Sequence, residues 1–328
     1  MVRLSMAAAI RAALDLAMAR DDRVIVIGED VSVAVFGATA GLAERYGSSR
    51  VIDTPISESA FLGAAVGAAA TGLKPVAELM FCDFLGVGFD AVLNQASKLG
   101  FLSGGRLDMP LVIRTTVGAG DSSAAQHSQS LQHIFAAIPG LKVAMPTTPA
   151  DAMGLTLAAI DEPGPVVLLE HKLLYEREGE VPDPPEPLPL GRARLVREGR
   201  DVTLVAMGRM VHVAEEAAER LAKRGMMAEV IDPRSLKPLD ERRILKSLRK
   251  TGRLVAIDEG AARCGIAADI VALAASKAFS ALKSAPQAIT PPDRPVPFSP
   301  SLERAWLPDA ETIADAAYAS MGKRKSRT

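Results

Sequence analysis

Cysteine is almost missing from this chain: 328 residues hold only Cys82 and Cys264. The two lie far apart and in no metal-ligand spacing, so a cysteine-based metal site is excluded and a reduced, cytoplasmic protein fits best. An excess of charge of one sign is missing too. Formal net charge is −1 at pH 7, which argues against nucleic acid or acidic lipid as a partner. The one basic run, Lys323-Arg324-Lys325-Ser326-Arg327, reads as a solvated tail. No uncharged apolar stretch reaches the length of a membrane span. Charges interrupt the apolar positions between Ser5 and Leu16, so this segment is expected to be an amphipathic helix capped by Ser5 and not a signal peptide. A GxxxxGK phosphate loop, an HExxH zinc helix and a GxSxG elbow are also lacking.

What is present is a soluble, globular composition, 48% apolar and 23% charged, at a length that suits two domains. Short β-rich runs alternate with helical patterns, which predicts parallel sheets in an α/β architecture. Strands are expected at Val24–Ile27, Val51–Asp53, Pro75–Glu78, Leu111–Thr115, Lys142–Met145 and Val166–Glu170. Between them, an alanine- and glycine-rich helix is expected from Glu58 to about Gly72, and another from about Val87 to Phe101. These six strands make one doubly wound domain, residues 1–180. The proline-rich stretch 181–192 can continue neither a helix nor a central strand, and reads as a stiff linker. Beyond it the alternation restarts at Val202–Ala206, Ala228–Asp232 and Leu254–Asp258, a second and smaller α/β domain over 193–328.

Three segments could carry chemistry. Gly118-Ala119-Gly120-Asp121 follows a strand like a dinucleotide loop, but it lacks the third glycine and a helix start. Asp53-Thr54-Pro55-Ile56-Ser57-Glu58 puts a carboxylate past the carboxyl end of a strand, where ligands bind in open α/β sheets. On position alone, Glu58 reads more simply as an acid complementing the helix dipole. His127, in Gln126-His127-Ser128-Gln129-Ser130, is a loop histidine that either moves protons or is fixed by loop hydrogen bonds.

Together these segments resemble the beta subunits of thiamine-diphosphate-dependent 2-oxo acid dehydrogenases, the first components of the pyruvate, branched-chain and acetoin complexes. The matching runs are Gly28-Glu29-Asp30-Val31, Asp53 to Glu58, Gln126 to Ser130, Pro139-Gly140-Leu141-Lys142-Val143, Ile231 to Asp240 and Pro297-Phe298-Ser299-Pro300. They occur in the family's order over essentially the whole chain. The resemblance implies a transketolase-like pyrimidine-binding domain followed by a transketolase C-terminal-type domain. It implies that Glu58 hydrogen-bonds the aminopyrimidine ring of the cofactor, with Phe84 beside that ring and Glu29 as a further cofactor contact. His127 matches the histidine serving the substrate side and transfer to lipoamide. A potassium ion is implied on main-chain carbonyls matching Leu111, Ala159, Ile160, Glu162 and Gly164.

The family's Gly-Asp-Gly diphosphate motif is absent here. An alpha subunit is therefore expected to hold Mg2+ and the diphosphate, in an α2β2 heterotetramer that works with a lipoyl acyltransferase. The segment Ser32 to Leu42 is short and lacks the glycine pair many members carry there. Ile56 to Phe61, Ala77 to Phe84, Glu170 to Tyr175 and Cys264 to Ala268 look most like acetoin-type members. The implied reaction forms a hydroxyethyl–cofactor intermediate from acetoin or pyruvate. A branched-chain 2-oxo acid is the alternative substrate, and a non-catalytic assembly subunit is the alternative of another kind.

Overall fold

The computed structural model describes residues 1–322, so the basic run expected to form a solvated tail lies outside the described residues. The chain forms two compact units: Met1–Gly118 with Ile134–Leu190, and Ala119–His133 with Gly191 onward.

In the first unit the strands are β1 (Val2–Ser5), β2 (Val24–Gly28), β3 (Val51–Asp53), β4 (Lys74–Phe81), β5 (Val112–Val117), β6 (Lys142–Ala144), β7 (Val166–His171) and β8 (Glu178–Val181). The six expected strands, β2 to β7, lie parallel in the order β6-β7-β5-β4-β2-β3. β1 and β8 form an additional antiparallel ribbon. The chain runs from β2 to β3 on one side and then returns to β4 on the other. That reversal opens a crevice at the carboxyl ends of β2 and β4.

Two helices cover one face. Met6–Arg20 is capped as expected, the Ser5 hydroxyl accepting from the Ala8 N–H at 3.2 Å. Pro149–Asp161 begins with Pro at its first turn and a Thr148 cap. Met6, Ile10, Leu14, Ala152 and Leu155 pack with Val26, Val76 and Val112 as a core. Leu188 and Leu190, in the proline-rich stretch, pack against that core, and the Leu188 N–H donates to the Gly154 carbonyl at 2.8 Å. The stretch expected to be a linker is thus held on the first unit as far as Leu190.

The helix expected over 87–101 is broken into Leu85–Asp90, a π-helical turn at Ala91–Ala96 and Leu99–Leu102. Gly88 supplies the reason: a Cβ there would come within 2.3 Å of Leu62 Cδ1 and 3.3 Å of the Glu58 carbonyl. The backbone bends where it passes the start of the helix Glu58–Ala70.

The second unit holds β9 (Arg194–Arg197), β10 (Val202–Ala206), β11 (Ala228–Asp232), β12 (Ser235–Lys237), β13 (Leu254–Ile257) and β14 (Gln287–Ile289). Its sheet runs β14-β13-β10-β11-β9, parallel except for β9 at the edge. Met210–Lys223 and Ala310–Ala319 cover a core of Leu204, Val211, Val230, Val255 and Ile313. β9 and β14 are short and half-exposed, and the residue pattern gave no sign of them.

Candidate active site

Three adjacent strand ends deliver the residues singled out in the first unit. Glu29 follows β2, Glu58 opens the helix after β3, and Phe84 ends the short turn Cys82–Phe84 after β4. β2 lies between the other two, with Gly28 opposite Asp53 on one side and Glu78 on the other. Gly28 is required at that point: a Cβ would lie 2.6 Å from the Glu78 carbonyl oxygen. The loop after β2 is tied down by Ser32, whose N–H and hydroxyl both donate to the Asp53 carboxylate.

Glu58 and Glu29 are both buried, at 7% and 8% exposure. Burial, then the Glu58 charge, push the Glu29 carboxyl above its ordinary value, against a Ser57 backbone N–H that favours its ionised form. Its Oε1 is buried with no hydrogen-bond partner. Two buried acids therefore lie close enough for one charge to act on the other, with one oxygen left without a donor, the arrangement expected where a ligand nitrogen or hydroxyl completes the set. Phe84 is half-buried, edge-on to Phe81 with ring centroids 5.5 Å apart. The Ser59 hydroxyl donates to the Val87 carbonyl at 2.6 Å, which holds the segment after Phe84 to the Glu58 helix.

That helix turns Phe61, Leu62, Ala65 and Val66 inward, while Gly63, Ala64 and Gly67 are exposed. Around it Ile56, Val87 and Phe89 are exposed as well.

His127 belongs to the second unit, on the irregular segment Ala119–His133, and is half-buried. The glycine pair at the start of this region does not form a phosphate loop. The N–H groups of Ala119, Gly120 and Ser122 donate to the carboxylates of Glu259 and Glu303 at 2.6, 2.7 and 2.9 Å. Those acids would repel a phosphate, so the weak dinucleotide signal is accounted for. A cavity of about 440 Å³ lies in the same unit, lined in part by Gln129, Ser130, His133, Glu259, Arg294 and Trp306.

The carbonyl set matched to a potassium ion falls where three segments meet. Val166 N–H donates to the Leu111 carbonyl at 2.9 Å, and Met109 N–H to that of Pro163 at 2.7 Å. These bonds place 109–111 beside 163–166. Ala159, Ile160 and Glu162 lie at the carboxyl end of the helix Pro149–Asp161, where carbonyls concentrate negative partial charge, and that of Ala159 accepts the Glu162 N–H at 3.3 Å.

Sequence reasoning missed a cluster on three neighbouring strands. Arg114 binds both oxygens of Glu170 at 2.8 and 2.7 Å and Glu78 at 2.6 Å, and the Tyr175 hydroxyl donates to Glu170 at 2.7 Å. It also missed Glu303 and the Asp258–Gln132 pair, whose partners are distant in the chain.

The fold and this arrangement of acids define a class: residues 3–178 match the transketolase pyrimidine-binding domain and residues 191–313 the transketolase C-terminal domain. The chain belongs to the family of acetoin and pyruvate dehydrogenase beta subunits. It is 49% identical to the beta subunit of acetoin:2,6-dichlorophenolindophenol oxidoreductase from Bacillus subtilis, over 98% of each chain. The corresponding Cupriavidus necator subunit is 50% identical over 97% of this chain and 98% of the relative. A mitochondrial pyruvate dehydrogenase E1 beta subunit from Arabidopsis thaliana is 43% identical over 94% of this chain and 87% of its own. A solved split-gene transketolase, described as an inactive beta4 tetramer, superposes with a TM-score of 0.80 at 23% identity, covering 98% of this chain and 99% of its own, which shows the shared fold. Among the described residues, no helix is long and apolar enough to cross a membrane.

Proposed function

We propose that this chain supplies the pyrimidine-binding half of a thiamine-diphosphate site in a dehydrogenase that acts on acetoin or pyruvate. In this reading it works in the cytoplasm as the beta subunit of an α2β2 heterotetramer, passing an acyl group to the lipoamide of an acyltransferase. The observation that carries the reading is the buried Glu29–Glu58 pair with its unpartnered oxygen, at the crevice where the strand order reverses.

The residues present fit the cofactor's pyrimidine end. When bound, thiamine diphosphate supplies a carbon nucleophile that adds to a carbonyl. Glu58 would hydrogen-bond the aminopyrimidine ring nitrogen, and Phe84 would offer a flat apolar surface beside that ring. Glu29 lies close enough to Glu58 to feel its charge. Its carboxyl is raised by burial and by the neighbouring charge, so it takes up a proton more readily than an ordinary glutamate. His127 moves a proton on the substrate side through its imidazole nitrogens. The carbonyls of Leu111, Ala159, Ile160, Glu162 and Gly164 form an uncharged oxygen set suited to a potassium ion.

The other end of the cofactor is left to a partner. The chain has no Gly-Asp-Gly motif, so Mg2+ and the diphosphate fall to the alpha subunit. The exposed apolar Ile56, Val87 and Phe89 around the Glu58 helix support a partner surface there. Two measurements test the reading. Purified beta subunit should bind thiamine diphosphate weakly, and tight Mg2+-dependent binding without a partner would refute the shared site. Co-expressed with its alpha subunit, the chain should turn over acetoin or pyruvate faster than 3-methyl-2-oxobutanoate; the reverse order refutes the substrate assignment.

A further inference from the structure

The loop that carries His127 is held in an unusual conformation. Its backbone is left-handed at Gly120 (φ 119°), Ser122 (φ 59°) and Ala124 (φ 63°), and the last two are residues that rarely adopt it. Such a loop keeps its shape only if its surroundings impose it. Buried acids of the same unit do so at both ends.

At the first end, Glu303 is 2% exposed on the helix Pro300–Trp306. One of its oxygens accepts from the Gly120 N–H at 2.7 Å. The other accepts from the Ser122 N–H at 2.9 Å and the Ser122 hydroxyl at 3.4 Å. Glu259 takes the Ala119 N–H at 2.6 Å. At the far end, Gln132 Nε2 donates to Asp258 Oδ1 at 2.5 Å, and the Gly260 N–H donates to the same oxygen at 3.0 Å. Gly260 leaves the amide its room, since a Cβ there would lie 2.7 Å from Gln132 Nε2.

We propose that Glu303 and Asp258 are positioning residues that fix both ends of the loop and thereby set where the His127 imidazole stands. The proposal rests on the reading of His127 as a proton-moving group in the reaction. Neither acid touches substrate in this account; both act through backbone and amide donors of the loop. Asp258 Oδ2 and Gln132 Oε1 are both buried without a partner. Asp258→Asn keeps the Oδ1 acceptor that holds the Gln132 amide and the Gly260 N–H.

The test uses the complex with its alpha subunit. Glu303→Gln replaces one acceptor by a donor facing an N–H. It should lower kcat about tenfold with KM within about twofold, and speed hydrogen exchange at Gly120 and Ser122. Asp258→Asn should keep wild-type kcat, whereas Asp258→Ala should lower it. In a His127→Gln background, Glu303→Gln should cost nothing further, because its effect travels through the imidazole. An equal loss in both backgrounds would overturn the proposal in favour of a purely structural role. A silent Glu303→Gln beside a damaging His127→Gln overturns the positioning claim alone, while a silent His127→Gln brings down the reading of His127 and the proposal with it. Should Glu303→Gln not fold, Glu303→Asp, whose shorter side chain reaches fewer of the donors, carries the same test.

Discussion

Two groups of buried acids stand in the first unit at similar depth, and their partners differ completely. Glu78 and Glu170, 6% and 1% exposed, close on the Arg114 guanidinium from both sides, with Tyr175 capping one of them. All four bonds there are short and charge-assisted, and both carboxylates are engaged. Among the described residues Glu29 and Glu58 form no salt bridge, Glu29 Oε1 lacks any donor, and the Glu58 charge disfavours ionisation of Glu29. The first group explains how three adjacent strands are pinned together. The second is a cost that the fold carries, and it supports the proposed ligand site.

The largest way to break this comparison is at Arg114. Arg114→Met leaves Glu78 and Glu170 buried without a countercharge and should cost about 3–5 kcal/mol of stability. Urea denaturation of the purified subunit measures this, and a loss below about 1 kcal/mol would show that the cluster is not structural. Glu58→Gln should do the opposite. It relieves a like-charge contact, so stability should hold within about 1 kcal/mol, while turnover of the reconstituted complex falls by about 10²- to 10⁴-fold. An unfolded Glu58→Gln with normal residual activity per folded molecule would reverse the two roles.

Much of this was legible beforehand, for identifiable reasons. The six parallel strands of the first unit are buried apolar runs bounded by glycine or proline, so their positions agree with the pattern to within a few residues. The Ser5 cap is a local signal and held. What escaped is non-local. β9 and β14 are short and half-exposed, the kink at Gly88 depends on Leu62 across the fold, and Arg114 meets acids 36 and 56 residues away. Glu58 was placed by its strand end, but position could not separate it from a helix-dipole acid. Its burial beside Glu29 is what supports the proposed ligand role, and that fact is tertiary.

A smaller effect contrasts the second unit with the first. Burial, with the Glu259 charge adding to it, pushes Asp258 up to about 6 from an ordinary 3.8, against the Gly260 N–H and Gln132, which favour the ionised form. His133, next to Gln132 in the chain, is itself driven toward neutrality by burial. An acid with a raised folded-state pKa takes up a proton on folding. Its contribution is therefore complete below pH 3.8 and is lost as pH rises through about 6. Asp258→Asn removes that decline, so the variant should gain about 2–3 kcal/mol on the wild type between pH 4 and pH 7. Parallel pH profiles for the two proteins would show instead that Asp258 does not titrate in this window.

The smallest effect bears most directly on the comparison, because it asks whether Glu29 and Glu58 act on one another at all. Glu29 is also raised, first by burial and then by the Glu58 charge. The same sign follows: its contribution to stability falls as pH rises through its folded value, somewhere above the ordinary 4.5. Glu29→Gln should flatten that fall. Glu58→Gln should flatten part of it as well, since it removes the second cause and leaves the first. Melting curves from pH 4.5 to 7 for the two single variants and the double variant separate these contributions. If Glu58→Gln leaves the Glu29-dependent slope untouched, the two carboxyls are independent. The two would then be isolated buried acids, and the contrast with the Arg114 cluster would rest on the missing cation alone.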